Sequence, residues 1–275
     1  MTLKLDGPLL LAGAGKMGGA MLSGWLKRGL DPMQVVVQDP GPPAEVAQLL
    51  HDHGIACSPL SGALPAAPSV IVVAVKPQAM DGVFPNLAKL AGSKTLVLSI
   101  AAGKTLHSFE RHLGEGAAVV RAMPNTPAAI GRGITVCVAN RHASSRQRAL
   151  ATSLLEAVGE VGWVEDEGLM DAVTAVSGSG PAYVFLLAEA MAAAGVAQGL
   201  DAELSARLAR ATVSGAGELL RLSTESASQL RQNVTSPGGT TAAALSVLMG
   251  QGAGLPDLMA EAIAAATKRG RELAG

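Results

Sequence analysis

Residues 9–18 read Leu9-Leu10-Leu11-Ala12-Gly13-Ala14-Gly15-Lys16-Met17-Gly18. A short apolar run enters three glycines spaced Gly-x-Gly-x-x-Gly, and a helical pattern follows to about Lys27. Glycine at these positions permits a tight turn, lets the backbone approach a pyrophosphate, and lets the helix pack on the strand. The helix start adds unpaired N–H groups and a favourable dipole end. Strand, loop and helix in this order predict a dinucleotide site over Ala12, Gly13, Ala14, Gly15, Lys16, Met17 and Gly18. The bland alternative is an incidental turn in a chain with 33 glycines.

Later apolar runs fit a parallel sheet. Val35–Gln38, Val70–Val75, Leu96–Ile100 and Val119–Ala122 are continuous rather than alternating, as strands buried on both faces require. Gly or Pro punctuates nearly every junction. Ile134–Val138 and Val161–Val164 read as further strands flanking a helix around Ala143–Val158. The expected fold class is α/β, with a doubly wound sheet over residues 1–165 and an all-α domain over 166–275.

From Glu167 onward the text turns to long Ala/Leu-rich segments: Gly168–Val176, Pro181–Ala197, Asp201–Leu222, Thr240–Met249 and Leu258–Leu273. Pro181 suits a helix's first turn, and Asp201 is a plausible N-cap behind Gly199. Pro181–Ala197 is apolar on every face except Glu189. A helix like that must be buried, and a region of about 110 residues hardly hides it alone. The helical domain is therefore expected to complete its core against another subunit.

Composition narrows the function. The 275 residues carry 21 Lys+Arg against 22 Asp+Glu, and aromatic residues make up only 2%. Without a basic block or stacking rings, nucleic acid is not an expected partner. Cys57 and Cys137 are too few for a disulfide framework or a thiolate metal site. They are expected to be inert packing residues in a reducing, cytoplasmic setting, with no metal bound. The opening stretch is broken by Asp6 and does not read as a signal peptide. The charge-free stretch from Gln232 to Pro256 contains Pro237, Gly238 and Gly239 and does not read as a membrane span, so no membrane is expected either.

Strand ends extend the nucleotide site. Asp39 lies 21 positions after Gly18 and can accept hydrogen bonds from an adenosine ribose, favouring NADH. Equally, it can cap the turn Pro40-Gly41-Pro42. Ala74-Val75-Lys76-Pro77-Gln78 ends a strand with Pro77 holding Lys76 extended, which suits the nicotinamide-side ribose. Ser99-Ile100-Ala101-Ala102-Gly103 ends the next with small residues beside the nicotinamide ring, and Asn125-Thr126 form a polar loop between two prolines. In the helical half, Ser177-Gly178-Ser179-Gly180-Pro181 and Thr235-Ser236-Pro237-Gly238-Gly239-Thr240-Thr241 stand out. The second offers backbone N–H groups and hydroxyls at a positive helix end, a site for a small carboxylate. Its alternative is a pair of ordinary helix caps.

Absences point to the chemistry. Beyond residue 166 there is no His, and the only Lys is Lys268. Oxidising an alcohol needs a positioned acid–base, usually His, Lys or Tyr. Tyr183 lies on the apolar helix and reads as packing. A protonated C=N bond is already an electrophile, so the inventory fits reduction of an imine carboxylate, with a hydroxyl such as Thr241 holding or relaying the proton.

Taken in order, GAGKMG, AVKPQ, SIAAG, RAMPNTPAAIGRG, DAVTAVSGSGPAYVF and VTSPGGTT resemble pyrroline-5-carboxylate reductase along essentially the whole chain. The resemblance implies an N-terminal Rossmann domain, a helical domain forming a homodimer, and often a ring of five dimers. It implies hydride transfer from NADPH or NADH to 1-pyrroline-5-carboxylate, giving L-proline. By position, Ala74, Val75, Lys76 and Pro77 with Ala101 and Ala102 would line the nicotinamide half, and Asn233 would sit between cofactor and substrate. Gly239, Thr240 and Thr241 would hold the substrate carboxylate, with Thr241 nearest the ring nitrogen and Ser236 supporting the loop. Glu167 matches an acidic position near the substrate. Two departures stand out. Many relatives carry small hydroxyl residues where this chain has Asp39-Pro40-Gly41-Pro42, and Leu-Lys-Asp where it has Leu230-Arg231-Gln232.

Two other readings are weaker. A β-hydroxyacid dehydrogenase shares the two-part plan but requires a catalytic Lys on a helix of the second domain. A non-catalytic dinucleotide-binding protein predicts damage to one of the glycine-rich motifs, and both are whole.

Overall fold

Apolar strands that do not alternate must be covered on both faces, and the first half is built that way. The computed structural model describes residues 3–59 and 66–274, so Met1 and Thr2 of the opening stretch lie outside it. The chain runs β1 (Leu9–Ala12), α1 (Lys16–Lys27), β2 (Val35–Gln38), α2 (Ala44–Asp52), β3 (Ala56–Ser58), β4 (Val70–Val73), α3 (Met80–Ala88) and β5 (Leu96–Ser99). It continues through α4 (Leu106–Glu110), β6 (Ala118–Met123), β7 (Gly133–Ala139), α5 (Ser145–Leu155) and β8 (Gly159–Trp163). The strands form one sheet in the order β3-β2-β1-β4-β5-β6-β7-β8. Strands β1, β4 and β5 are buried at every residue. On one face Leu9, Leu11 and Val72 meet Met21, Leu22 and Trp25 of α1; on the other Leu10, Ile71 and Val97 meet Phe84 and Phe109. Those two rings pack edge to face with centroids 4.9 Å apart.

Two features of the sheet depart from the sequence pattern. β7 runs antiparallel to β6, because the short link between them leaves no room for a crossover helix. β3 was not foreseen: it is a three-residue edge strand, too short and too exposed for a periodic signal.

The later helices are α6 (Met170–Val173), α7 (Gly180–Ala197), α8 (Ala202–Leu222), α9 (Ala227–Asn233), α10 (Thr240–Leu248) and α11 (Leu255–Ala274). The expected single helix over Gly168–Val176 is instead three pieces: a 3-10 turn at Glu167–Leu169, then α6, then a π-helical stretch at Thr174–Gly178. α9 carries no apolar stripe, so periodicity missed it; Ser226 caps it by accepting from the Gln229 N–H. α11 begins earlier than expected because Pro256 sits in its first turn, where its missing N–H is harmless. The chain forms two compact units, Met1–Gly178 with Thr267–Gly275, and Ser179–Ala266.

Within the second unit α7 and α8 form a hairpin. Gly199 turns at φ +92°, and Asp201 caps α8 by accepting from the Glu203 and Leu204 N–H groups at 3.0 and 3.1 Å. Ser205 donates to the Ala192 carbonyl at 2.7 Å, where Gly195 lets the two helices approach. No residue of α7 is buried in the single chain, and Phe185 is 68% exposed. By length and composition Glu167–Ala197 is apolar enough to cross a membrane.

Candidate active site

The three glycines of the first loop each do something different. Gly13 turns at φ +92°, and a Cβ there would lie 2.5 Å from the Ala74 carbonyl oxygen. At Gly18 a Cβ would collide with the Gly13 carbonyl, so only glycine lets α1 seat against the turn. A Cβ at Gly15 would meet nothing within 4 Å: the loop is open there. The first intrahelical bond runs from the Gly19 N–H to the Gly15 carbonyl at 2.7 Å, which leaves the amides of Lys16, Met17 and Gly18 without intrahelical acceptors. An open middle glycine facing three free amides fits a pyrophosphate. Ala14 is different. It is fully buried, and its N–H is already given to Asp39.

Asp39 does more than either reading of it alone. Its Oδ2 accepts from the Ala14 N–H at 2.7 Å, and its Oδ1 accepts from the Gly41 N–H at 2.8 Å, so it both braces the glycine loop and caps the next turn. The Gly13 N–H donates to the Gln38 carbonyl at 2.8 Å. The Gln38 side chain is 9% exposed, and its Oε1 is the buried side-chain polar atom that lacks a hydrogen-bond partner among the described residues. A glutamine at a strand end carries no motif signal, so this buried acceptor was not legible in the sequence.

The other strand ends lie along the same carboxyl edge. Ala74 and Val75 are half-buried, Lys76 is exposed, and Pro77 opens a 3-10 turn. Ala101 is buried and Ala102 exposed, with the Ala101 N–H bound to the Ser99 hydroxyl at 3.2 Å. Asn125 is a clamp: its Nδ2 donates to the Ser177 carbonyl at 3.2 Å, and its Oδ1 accepts from the Ile134 N–H at 2.9 Å. Glu167 reaches Arg121, which is 5% exposed, at 2.9 Å, and the same Oε1 accepts from the Leu106 N–H at 2.8 Å. A buried guanidinium without its carboxylate is costly, so Glu167 has a holding role in this unit that sequence reading did not reveal.

The second unit carries the other motif. Gly239 is the N-cap of α10 with extended backbone and no side-chain cap. Its N–H donates to the Ser236 carbonyl at 3.1 Å, and its carbonyl accepts from the Ala243 N–H at 3.1 Å. The amides of Thr240, Thr241 and Ala242 between these bonds have no intrahelical acceptor. No hydroxyl of Ser236, Thr240 or Thr241 is spent on capping. Unpaired amides and hydroxyl residues at a positive helix end are the chemistry that a small carboxylate requires. The capping alternative for this motif does not hold for α10. Asn233 is exposed and engaged within its own unit, accepting from Gln229 at 2.8 Å and donating to Glu225 at 3.1 Å.

The cysteines divide. Cys137 is buried as expected, and burial pushes its thiol up to about 12. Cys57 is exposed on β3 rather than packed, because an edge strand this short has no cover. Partial desolvation of its sulfur raises its pKa, the Asp39 carbonyl works against that rise, and the Asp39 charge adds to it. Burial and a raised pKa together keep Cys137 out of reach of thiol chemistry.

Comparison with known proteins gives consistent matches. Residues 167–273 match the family model for pyrroline-5-carboxylate reductase dimerisation, and residues 9–103 match that for NADP oxidoreductase, coenzyme F420-dependent. The pyrroline-5-carboxylate reductase of Pseudomonas aeruginosa is 41% identical over 95% of both chains. That of Synechocystis is 40% identical over 96% of this chain and 97% of its own. Among solved structures, a pyrroline-5-carboxylate reductase from Coxiella burnetii superposes with a TM-score of 0.89 at 36% identity, covering 98% of this chain and 99% of that one. A Plasmodium falciparum pyrroline carboxylate reductase with NADP bound gives 0.80 at 28% identity, with the same coverage.

Proposed function

This chain belongs to the pyrroline-5-carboxylate reductase family, and from that premise we propose how its own residues carry out the reaction. It is an NAD(P)H-dependent oxidoreductase that reduces 1-pyrroline-5-carboxylate to L-proline in proline biosynthesis. The nicotinamide cofactor supplies a hydride to the imine carbon, and the ring nitrogen ends protonated.

The first-loop amides of Lys16, Met17 and Gly18 hold the pyrophosphate, and Asp39 stands at the adenosine ribose. Ala74, Val75, Lys76 and Pro77, with Ala101 and Ala102, line the nicotinamide half. The observation that carries the substrate assignment is the uncapped start of α10. Gly239, Thr240 and Thr241 bind the substrate carboxylate there, and the Thr241 hydroxyl holds the ring nitrogen or relays its proton. Ser236 supports the loop. Asn233 is the residue we place between cofactor and substrate, its amide engaged with Gln229 and Glu225 in this structure. Glu167 is the acidic group we assign to the substrate side, its carboxylate fixed by Arg121 and the Leu106 N–H. Paired assays of pyrroline-5-carboxylate with NADPH and with NADH test this reading: proline formed with at least one supports it, and oxidation of neither contradicts it.

The chain is an oligomer built through its dimerisation domain. We place the second copy on α7, whose exposed Val184, Phe185, Leu186 and Leu187 require cover. A match to a dimerisation model over this helix supports protein rather than lipid as that cover. Phe185→Glu is expected to convert the assembly to single chains by light scattering at micromolar concentration; an unchanged mass contradicts the placement. Five dimers in a ring, read as ten chains in the wild type, extend the same proposal. Nucleic acid has no place in it. The free thiols of Cys57 and Cys137 suit a reducing compartment, so we place the enzyme in the cytoplasm.

A further inference from the structure

We propose that the turn after β2 makes this enzyme prefer NADH, with Asp39 as the residue that selects it. This rests on the reductase reading above. A 2′-phosphate is recognised by donors, and within Asp39–Pro43 none is left over; the next unpaired amides, of Ala44 and Glu45, come in the first turn of α2 beside the Glu45 carboxylate. Of Asp39-Pro40-Gly41-Pro42-Pro43, the three prolines lack an N–H. The Gly41 N–H is bound to Asp39 Oδ1 at 2.8 Å, and the Asp39 N–H is bound to the Ser58 carbonyl at 3.0 Å. No cationic side chain follows the turn in this stretch of the chain. No Lys or Arg occurs between Arg28 and Lys76, and the acidic residue in the first turn of α2 is Glu45.

Asp39 itself is fixed. Held by Ala14 at 2.7 Å and by Gly41, its carboxylate cannot swing aside to admit a second anion. Each oxygen retains a further acceptor position. Those positions suit the donating 2′- and 3′-hydroxyls of an unphosphorylated ribose. A phosphate in the same place meets a fixed negative charge with only acceptor oxygens of its own. Repulsion between charges about 4 Å apart near a surface amounts to a factor of roughly ten or more in affinity. Because Asp39 also braces the Ala14 amide, it is a selecting and a loop-supporting residue at once, and the two roles separate experimentally.

Fluorescence titration of the whole enzyme with NADH and NADPH measures the ratio of affinities without any turnover. The wild type is expected to bind NADH at least about tenfold more tightly, the gap narrowing as salt rises. In Asp39→Ser both affinities fall through the loosened loop, and the ratio moves to within about twofold of unity. Equal losses with an unchanged ratio would mean a purely supporting role and overturn the proposal. Tighter NADPH binding by the wild type overturns it without any variant, so misfolding of Asp39→Ser does not protect it. Enzyme that discriminates between the nucleotides yet reduces no pyrroline-5-carboxylate contradicts the reductase reading and leaves the selection intact.

Discussion

Gly15→Ala is expected to weaken NADH and NADPH binding alike by roughly 10- to 100-fold, or about 1.4–2.8 kcal/mol, as a methyl forced into an occupied space costs. The fold hardly notices the change. Gly15 is the N-cap of α1 at φ −67°, a conformation alanine adopts, and its Cβ meets nothing within 4 Å. Exchanging an N-cap glycine for alanine costs under about 1 kcal/mol. The melting temperature therefore stays within a few degrees while isothermal titration shows the loss. Gly13→Ala is the contrasting case: φ +92° and the Ala74 carbonyl at 2.5 Å make it lose stability as well as binding. Unimpaired binding in Gly15→Ala would place the pyrophosphate elsewhere.

Thr240→Pro is the second large effect. Thr240 is the first residue of α10, the one helical position where proline fits without distortion. The residue before it, Gly239, is already extended at ψ 174°, as a proline in the next position demands. The substitution removes one amide donor and a hydroxyl while keeping the helix. A hydrogen bond to a charged group is worth about 1.5–3 kcal/mol, so the KM for pyrroline-5-carboxylate should rise about 10- to 150-fold, with nucleotide affinity unchanged. Thr240→Ser, which restores the amide and keeps a hydroxyl, is expected to recover the wild-type KM. Thr241→Ala should act differently. A contact made to the reacting nitrogen is felt in the transition state, so kcat falls by a similar factor. Equal KM values across the Thr240 variants, or an unchanged kcat in Thr241→Ala, would remove those residues from their roles.

How far the sequence could be read depended on where the forces act. β1, β4 and β5 were legible because strands buried on both faces must be apolar at every position. β3 and α9 were not, since one is a brief exposed edge and the other a polar helix held by its Ser226 cap. The glycine loop was legible by spacing, because each glycine answers a steric demand along the chain. The Asp39–Ala14 bond and the Arg121–Glu167 pair join residues 25 and 46 positions apart, and no local pattern announces them. The bare start of α10 lies between. Its small and hydroxyl residues were visible, but only the geometry reveals that none of the three hydroxyls is consumed as a cap.

The most direct measurement is a crystal structure of the enzyme with L-proline and an oxidised nicotinamide nucleotide. Proline carboxylate oxygens within about 3.2 Å of the main-chain nitrogens of Thr240 and Thr241 are the expected result. A carboxylate held instead by side-chain cations, with the first turn of α10 facing only solvent, would contradict the account.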